Sequence, residues 1–261
     1  MITDRYDDRR AKREIDTELY QRVATASLED VRQLIANGAN PNEPVYNPIN
    51  DDFYVIHRAA LNPDIGVLKY LVSIGVNPCQ KDYWARQPLA FAVRENPIEF
   101  ARYLVEELGN KPDYEDLDGG TAIAEATLNP HVEVLDYVLE KGSDIDEGAM
   151  GEIPLEIALK KGSVDRVRYL LDHGARVELV DTAVCFAPIA NLRLLLERGF
   201  NPNQMDDDDD ARLIDHLDPV RRALFEEFGG KILNPDAEKL YLSYPNEMPK
   251  EDGEQLAGLE V

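Results

Sequence analysis

Apolar residues recur at helical spacing along most of the chain, in short segments separated by turn residues. Val67, Leu68 and Leu71 illustrate the pattern, because residues three and four positions apart share one face of a helix. We therefore predict a series of short amphipathic helices whose apolar faces form the core. Four segments predicted as second helices carry the pattern most clearly: Val67, Leu68 and Leu71; Phe100, Tyr103 and Leu104; Val134, Leu135 and Val138; Val167, Leu170 and Leu171.

Glycines and helix-breaking pairs punctuate this pattern at regular intervals. A glycine after the last apolar residue is typical of a helix that ends in the left-handed conformation. These glycines are Gly38, Gly75, Gly109, Gly142, Gly174 and Gly199. About twelve residues before most of them lies a breaking pair, with proline expected in the first turn of the second helix. The pairs are Asn62-Pro63, Asn96-Pro97, Asn129-Pro130, Lys161-Gly162, Ala187-Pro188 and Asp218-Pro219. The pattern predicts one helix-turn-helix repeat copied along the chain.

The segments predicted as first helices resemble the ankyrin signature TPLHxAA. They read YVIHRAA (54–60), QPLAFAV (87–93), TAIAEAT (121–127) and IPLEIAL (153–159), and the connection DLDGGT (116–121) is similar to the ankyrin turn DxDGxT. The resemblance implies an all-α repeat solenoid, built from helix-turn-helix repeats with short β-hairpin-like fingers. It also implies that His57 has a structural role, orienting backbone hydrogen bonds, although Tyr54 replaces the usual threonine.

The resemblance divides the chain into three parts. We expect a charged N-terminal extension (1–15), an ankyrin-repeat domain of six to seven repeats including caps (16–233), and an acidic C-terminal tail (234–261). The connection from Asn42 to Phe53 predicts an enlarged finger, whereas the repeat that ends at Gly199 is too short for a hairpin. Leu240, Tyr241 and Leu242 are candidates for docking the tail.

The charge balance restricts the class of partner. The 51 acidic residues against 28 lysines and arginines give a net charge of -23, which repels nucleic acid and anionic lipid and attracts a basic protein. The simpler interpretation is that this charge only keeps an elongated protein soluble. The chain has no apolar run of membrane-spanning length and no secretory signal, so we expect a cytoplasmic monomer with free thiols at Cys79 and Cys185.

Candidate catalytic and metal-binding chemistry is weak. The four histidines are scattered, and no motif of nucleophilic catalysis, zinc binding or phosphate binding occurs, so we predict no enzymatic activity and no cofactor. The acidic run Asp206–Asp210 favours a solvated loop, with contact to a basic partner and calcium binding as the alternatives.

Candidate partner-binding residues lie on the fingers and on the inner helices. Trp84 falls at a predicted finger tip, between Tyr83 and Arg86, and these residue types are enriched in interface hot spots. The alternative is that Trp84 folds onto the long finger around Tyr46 and Phe53. By the resemblance, the variable position of TPLHxAA faces the concave groove. The full set of candidates is Tyr46, Arg58, Tyr83, Trp84, Arg86, Phe91, Asp116, Asp118, Glu125 and Ile157.

These observations predict a non-catalytic protein-binding module, an ankyrin scaffold or adaptor that presents an acidic concave surface to a basic protein. The alternative is an inhibitor or immunity protein that neutralises a basic toxin or nuclease by acidic mimicry. An adaptor leaves its partner active, whereas an inhibitor abolishes the partner's activity.

Overall fold

The computed structural model describes residues 14–45, 54–117, 120–148, 152–205 and 212–233. The chain forms two compact units, an N-terminal unit that ends at Gly151 and a C-terminal unit that begins at Glu152. The described helices of the N-terminal unit are α1 (14–22), α2 (Leu28–Ala36), α3 (Val55–Ala59), α4 (Ile65–Ser73), α5 (Pro88–Glu95), α6 (Ile98–Arg102), α7 (Ala122–Ala126) and α8 (Val132–Glu140). Those of the C-terminal unit are α9 (Pro154–Lys161), α10 (Val164–Asp172), α11 (Ile189–Glu197) and α12 (Pro219–Glu227).

Within each unit the helices form successive helix-turn-helix layers, which confirms the all-α repeat solenoid. Isolated antiparallel bridges join Glu115 to Thr121 and Met205 to Arg212 at the bases of fingers. The apolar positions predicted for the second helices are buried, except Tyr103 and Leu171, which are half-buried. The core therefore lies between layers, as the helical spacing predicts.

Local side-chain chemistry fixes where the helices begin and end. The hydroxyl of Thr121 accepts a hydrogen bond from the N–H of Ala124, and the carboxylate of Asp218 accepts bonds from the N–H groups of Val220 and Arg221. Such caps satisfy N–H groups that have no partner inside the helix. At the other end, the six predicted glycines have φ between 75° and 104°, so each adopts the left-handed conformation that the sequence predicts.

The turn between the two helices of a repeat differs from the expectation for proline. Asn62 and Asn129 each accept a hydrogen bond from the N–H two residues later, at 2.8 and 2.7 Å, and this local turn moves the helix start beyond the proline. Of the five prolines in the predicted pairs, Pro219 alone is the first residue of a second helix; Pro97 and Pro188 are caps, and Pro63 and Pro130 precede the cap.

The asparagines of three of these turns, and Asn191 near the start of α11, also join successive layers. The side-chain amides of Asn62, Asn96, Asn129 and Asn191 donate hydrogen bonds to backbone carbonyls of the preceding repeat. Asn129, for example, donates to the carbonyls of Val93 and Asn96 at 2.9 and 2.8 Å. All four are buried. We call these four residues the asparagine ladder.

Four segments of the described residues depart from regular α-helices. The second helix of the third repeat continues from α6 as a π-helix, Tyr103–Glu107, because α6 begins two residues after Asn96, whereas α4 begins three residues after Asn62. The π-helix accommodates the extra helical residue, because its helical turn is wider than that of an α-helix. In the C-terminal unit, short 3-10 helices occur at Val177–Leu179, Thr182–Cys185 and Leu213–His216. The first of them lies where other repeats have a finger, in the repeat that the sequence predicts to lack one. The predicted extension and tail lie outside the described residues, except for Glu14 and Ile15.

Candidate protein-binding surface

The finger between α4 and α5 is organised by the buried carboxylate of Asp82. Its Oδ1 accepts hydrogen bonds from the N–H groups of Trp84 and Arg86, at 3.0 and 2.9 Å. Its Oδ2 accepts from Nε of Arg86 and lies 2.8 Å from Nη2, and the Asp82 side chain is 1% exposed. Ala85 completes the turn with a φ of 65°, at the position where the ankyrin turn has glycine. The tip is therefore held in one conformation by side-chain and backbone bonds.

This rigid tip carries large apolar side chains. The Tyr83 side chain is the more exposed, with an exposed fraction of 50%, while Trp84 is half-buried and packs edge-on against the Tyr83 ring at 5.2 Å between centroids. The N–H of Leu117, on the next finger, donates to the carbonyl of Trp84 at 2.8 Å. Leu117 itself is 70% exposed. Sequence reasoning missed Leu117, although a leucine between two aspartates in a predicted turn was a usable signal.

The predicted inner-helix residues make contacts of their own. The Arg58 guanidinium lies over the Tyr20 ring, 5.0 Å from its centroid. The Phe91 ring lies 5.4 Å from the ring of His57 and 5.0 Å from the guanidinium of Arg86. Phe91 is therefore half-buried, packed between the finger and α3, and presents only part of its ring to solvent.

The acidic members of the predicted set are also engaged. Asp116 accepts a hydrogen bond from the N–H of Gly120 at 2.6 Å, which closes its finger. Glu125 lies 3.6 Å from Arg94. Beside them Tyr114 is buried, and burial raises the pKa of its phenol well above the ordinary value, with the negative charges of Glu125 and Asp116 adding to the effect. The inner surface of the N-terminal unit thus carries cations and carboxylates together.

A mainly acidic surface occurs instead on the fingers that follow α6 and α8, where the exposed cation is Lys111 at the base of the first finger. Asp113, Glu115, Asp144 and Glu147 are exposed there. Slight desolvation by the surrounding protein, and then repulsion from Glu115, Asp144 and Asp113, raise the pKa of Glu147. Among the residues that the structure describes, no lysine or arginine forms an ion pair with any of these four carboxylates.

The remaining candidates are separated from this cluster. Ile157 lies in the C-terminal unit, on α9, and is 7% exposed. Tyr46 and Asp118 lie outside the described residues, as do Phe53 and the run Asp206–Asp210. The structure brings together Tyr83, Trp84, Arg86 and Phe91.

The residue at the histidine position of TPLHxAA has the same structural role in several repeats. The sequence analysis predicted this role for His57 alone. Nε2 of His57 lies 2.8 Å from the carbonyl of Gln80, and burial lowers the pKa of the imidazole, which favours its neutral form. Glu156 holds the same position in its repeat and accepts a hydrogen bond from the N–H of Asp181 at 3.0 Å. Asp215, in the last repeat, accepts from the N–H of Leu233 at 2.8 Å. Each side chain therefore anchors the backbone that follows its repeat.

Within the described ranges, no group of three or more histidines, cysteines, aspartates and glutamates could hold a metal ion. In the same part of the chain, no helix combines the length and the apolar composition that crossing a membrane requires.

Comparison with known proteins supports the resemblance. A family model for ankyrin repeats (3 copies) matches residues 19–116 and 108–181, which together make up more than half of the chain. The chain is 29% identical over 156 residues to the ankyrin repeat protein nuc-2 of Neurospora crassa, covering 59% of this chain and 14% of that protein. It is 24% identical over 218 residues to a putative ankyrin repeat protein of Rickettsia bellii, covering 72% of this chain and 54% of that protein.

The fold has a close counterpart among solved structures. The human ASB11 ankyrin repeat domain superposes with a TM-score of 0.66 at 24% identity, covering 82% of this chain and 98% of that domain. At this identity the superposition shows a common fold. The chain spans about half or less of the length of the two curated relatives described here. With the family match and the observed layers, the chain belongs to the ankyrin-repeat family.

Proposed function

We propose that this chain is a non-catalytic protein-binding module whose fingers and inner helices bind a basic protein. Ankyrin repeats are generally protein–protein interaction modules, and their fold is typically a non-catalytic scaffold. The observation that carries the proposal is the finger tip held by Asp82, which presents Tyr83 and Trp84 in a fixed conformation. A surface that is already ordered loses little conformational entropy when a partner binds.

The proposed surface combines aromatic and arginine side chains, which would anchor the partner, with charged side chains beside them. Aromatic and arginine side chains dominate interface energies, and truncation of such a residue often costs about 2 kcal/mol or more. Tyr83, Trp84, Arg86 and Phe91 are adjacent and would serve as anchors. The full set proposed for partner binding in the N-terminal unit is Tyr46, Arg58, Tyr83, Trp84, Arg86, Phe91, Asp116, Asp118 and Glu125. Ile157, in the C-terminal unit, is proposed as a separate contact.

The net charge of -23 supports a basic partner, because it accelerates encounter with a positive surface. The exposed carboxylates on the fingers after α6 and α8 support this part of the proposal. We further propose that the protein is a monomer and acts in the cytoplasm, which equilibrium sedimentation and fractionation would test.

The test is quantitative capture of proteins from a native lysate by the full chain. Trp84→Ala and Phe91→Ala are expected to reduce recovery of the main captured protein about tenfold or more, which corresponds to roughly 1.4 kcal/mol. Glu133→Gln, on the exposed side of α8, is the matched control and is expected to leave recovery unchanged. If both variants and the control recover the same proteins as the parent, the placement of the interface is wrong.

One observation favours the inhibitor alternative: exposed carboxylates can mimic the phosphates of a nucleic acid. The carboxylates in question are Asp113, Glu115, Asp144 and Glu147. Assaying nuclease activity of the captured basic protein with and without the chain separates the two functions. An adaptor leaves the partner's activity intact, whereas an inhibitor abolishes it at a stoichiometric ratio.

A further inference from the structure

We propose that a basic segment of the partner protein docks on a finger patch, with an aliphatic side chain on the two apolar tips and its cations on the neighbouring carboxylates. This inference rests on the proposed function and specifies which part of the partner is recognised. The finger patch comprises Tyr83, Leu117, Asp113, Glu115, Asp144 and Glu147.

The apolar part of the finger patch is exposed although the fingers are ordered. Leu117 and Tyr83 are 70% and 50% exposed, and the backbone bond from Leu117 to Trp84 holds their two fingers side by side. Tyr83 gains one ring contact, with Trp84, and leaves half of its side chain in water. Adjacent exposed apolar side chains on a rigid support are typical of an interaction site.

The acidic part is continuous with these tips. Glu115 pairs through its backbone with Thr121, and the hydroxyl of Thr121 donates to the carbonyl of Glu147 at 3.2 Å, so the two fingers are tied together. The hydroxyl of Ser143 donates to the carbonyl of Pro112 at 3.0 Å, which adds a second tie close to Asp113 and Asp144.

The charges of these fingers favour a cationic occupant. The negative charges of Glu115, Asp144 and Asp113 all act on Glu147, and their repulsion adds to burial in raising its pKa. A lysine or arginine placed among them relieves this repulsion, whereas an anionic ligand increases it. Arg86 on the neighbouring finger is already paired with Asp82, and the exposed Lys111 beside Asp113 offsets only one of the four carboxylates, so the net charge around the finger patch is negative. Complementarity therefore selects a basic segment, and the exposed Leu117 and Tyr83 select one that also carries an aliphatic side chain.

The experiment measures fluorescence anisotropy of a labelled nine-residue peptide of alternating lysine and leucine, titrated with the full chain. A peptide of alternating lysine and serine tests the apolar contribution. The double variant Glu115→Gln, Glu147→Gln is expected to weaken binding of both peptides about fivefold, since each exposed charge pair is worth about 0.5 kcal/mol. Leu117→Ser is expected to weaken the lysine–leucine peptide about threefold or more and to leave the lysine–serine peptide unchanged.

The matched control is Glu99→Gln, Glu133→Gln in the first turns of α6 and α8, at the ends of these helices opposite the fingers, which removes the same charge and is expected to change binding less than twofold. An equal loss in the control and in the patch variant would show that net charge alone attracts the peptide, and would overturn the proposal. Undetectable binding of the lysine–leucine peptide to the parent would do the same. Circular dichroism and thermal unfolding establish that each variant is folded.

The two proposals fail separately. If the patch variants leave peptide binding unchanged while Trp84→Ala reduces capture from the lysate, the finger patch is refuted and the binding function stands. If Trp84→Ala and Phe91→Ala leave capture unchanged, the proposed interface around Trp84 and Phe91 is refuted, independently of the result of the peptide titration.

Discussion

Replacing Asn129 by alanine removes one rung of the asparagine ladder. The Asn129 side chain is buried, with an exposed fraction of 0%, and its amide donates to the carbonyls of Val93 and Asn96. Its Oδ1 accepts from the N–H of His131 at 2.7 Å. The substitution leaves these backbone groups without their side-chain partner. A hydrogen bond contributes about 1 kcal/mol net, and a buried group left unsatisfied costs about 1–3 kcal/mol. We therefore expect the free energy of unfolding to fall by about 2–4 kcal/mol.

The assay is equilibrium unfolding in urea, followed by the fluorescence of Trp84, which is the single tryptophan and lies in the same unit. Asn129→Asp keeps the acceptor and removes the donors, so it is expected to destabilise the protein as well. Asn37→Ala, at an exposed position, is the control and is expected to change the free energy of unfolding by less than about 0.5 kcal/mol. A loss below about 0.5 kcal/mol for Asn129→Ala would show that the ladder does not hold the layers together.

Three other substitutions test the structural basis of the two units. Ala85→Gly relieves the left-handed backbone at the finger tip and is expected to raise the free energy of unfolding by up to about 1 kcal/mol; a decrease in the urea midpoint would contradict the assignment. Burial lowers the pKa of His57 below its ordinary 6.5, so the folded protein favours the neutral imidazole. The stabilisation that His57 contributes is therefore present above about pH 6.5 and is lost as the pH falls below 6.5. His57→Gln is expected to flatten this part of the pH dependence relative to the parent, in urea midpoints measured between about pH 7 and 5, and equal slopes would refute the reasoning. Arg221→Met leaves the carboxylate of Asp218 without its buried cation and is expected to destabilise the C-terminal unit by about 3 kcal/mol in hydrogen-exchange measurements. Adding Asp218→Ser, which retains a cap for α12, is expected to recover part of that loss.

Much of the fold follows from local rules that a sequence displays directly. Gly109 and Gly142 end helices because φ is positive there, and the spacing of Val134, Leu135 and Val138 alone identifies a buried helix face. Both features depend on residues close together in the chain.

Features that depend on the preceding repeat were harder to predict. Asn129 reads as a helix breaker, and its donors reach carbonyls 33 and 36 positions away, which only the stacked layers bring near. The π-helix Tyr103–Glu107 could not be predicted from the repeat length. The connection between the two helices of this repeat is one residue shorter, which compensates for the extra helical residue.

The surroundings of the candidate residues were only partly predictable from the sequence. The residue types at Tyr83 and Trp84 identified the finger, yet Trp84 is the less exposed of the two because its ring packs against Tyr83. Phe91 was predicted to face the concave groove as a partner-binding residue, and Arg86 covers part of its ring. A net charge also does not show where charges pair: Glu125 lies beside Arg94, whereas the finger carboxylates have no such partner among the described residues.

Site-specific photo-crosslinking tests the central claim of a finger-based protein interface most directly. A photoreactive amino acid is placed at Tyr83 or Leu117, and at Glu133 on α8 as the control, and the full chain is irradiated in the native lysate. The interface predicts one discrete protein adduct from the two finger positions, weakened by raised salt, and little or none of it from Glu133. The same adduct at equal yield from all three positions, or adducts from Glu133 alone, would contradict it.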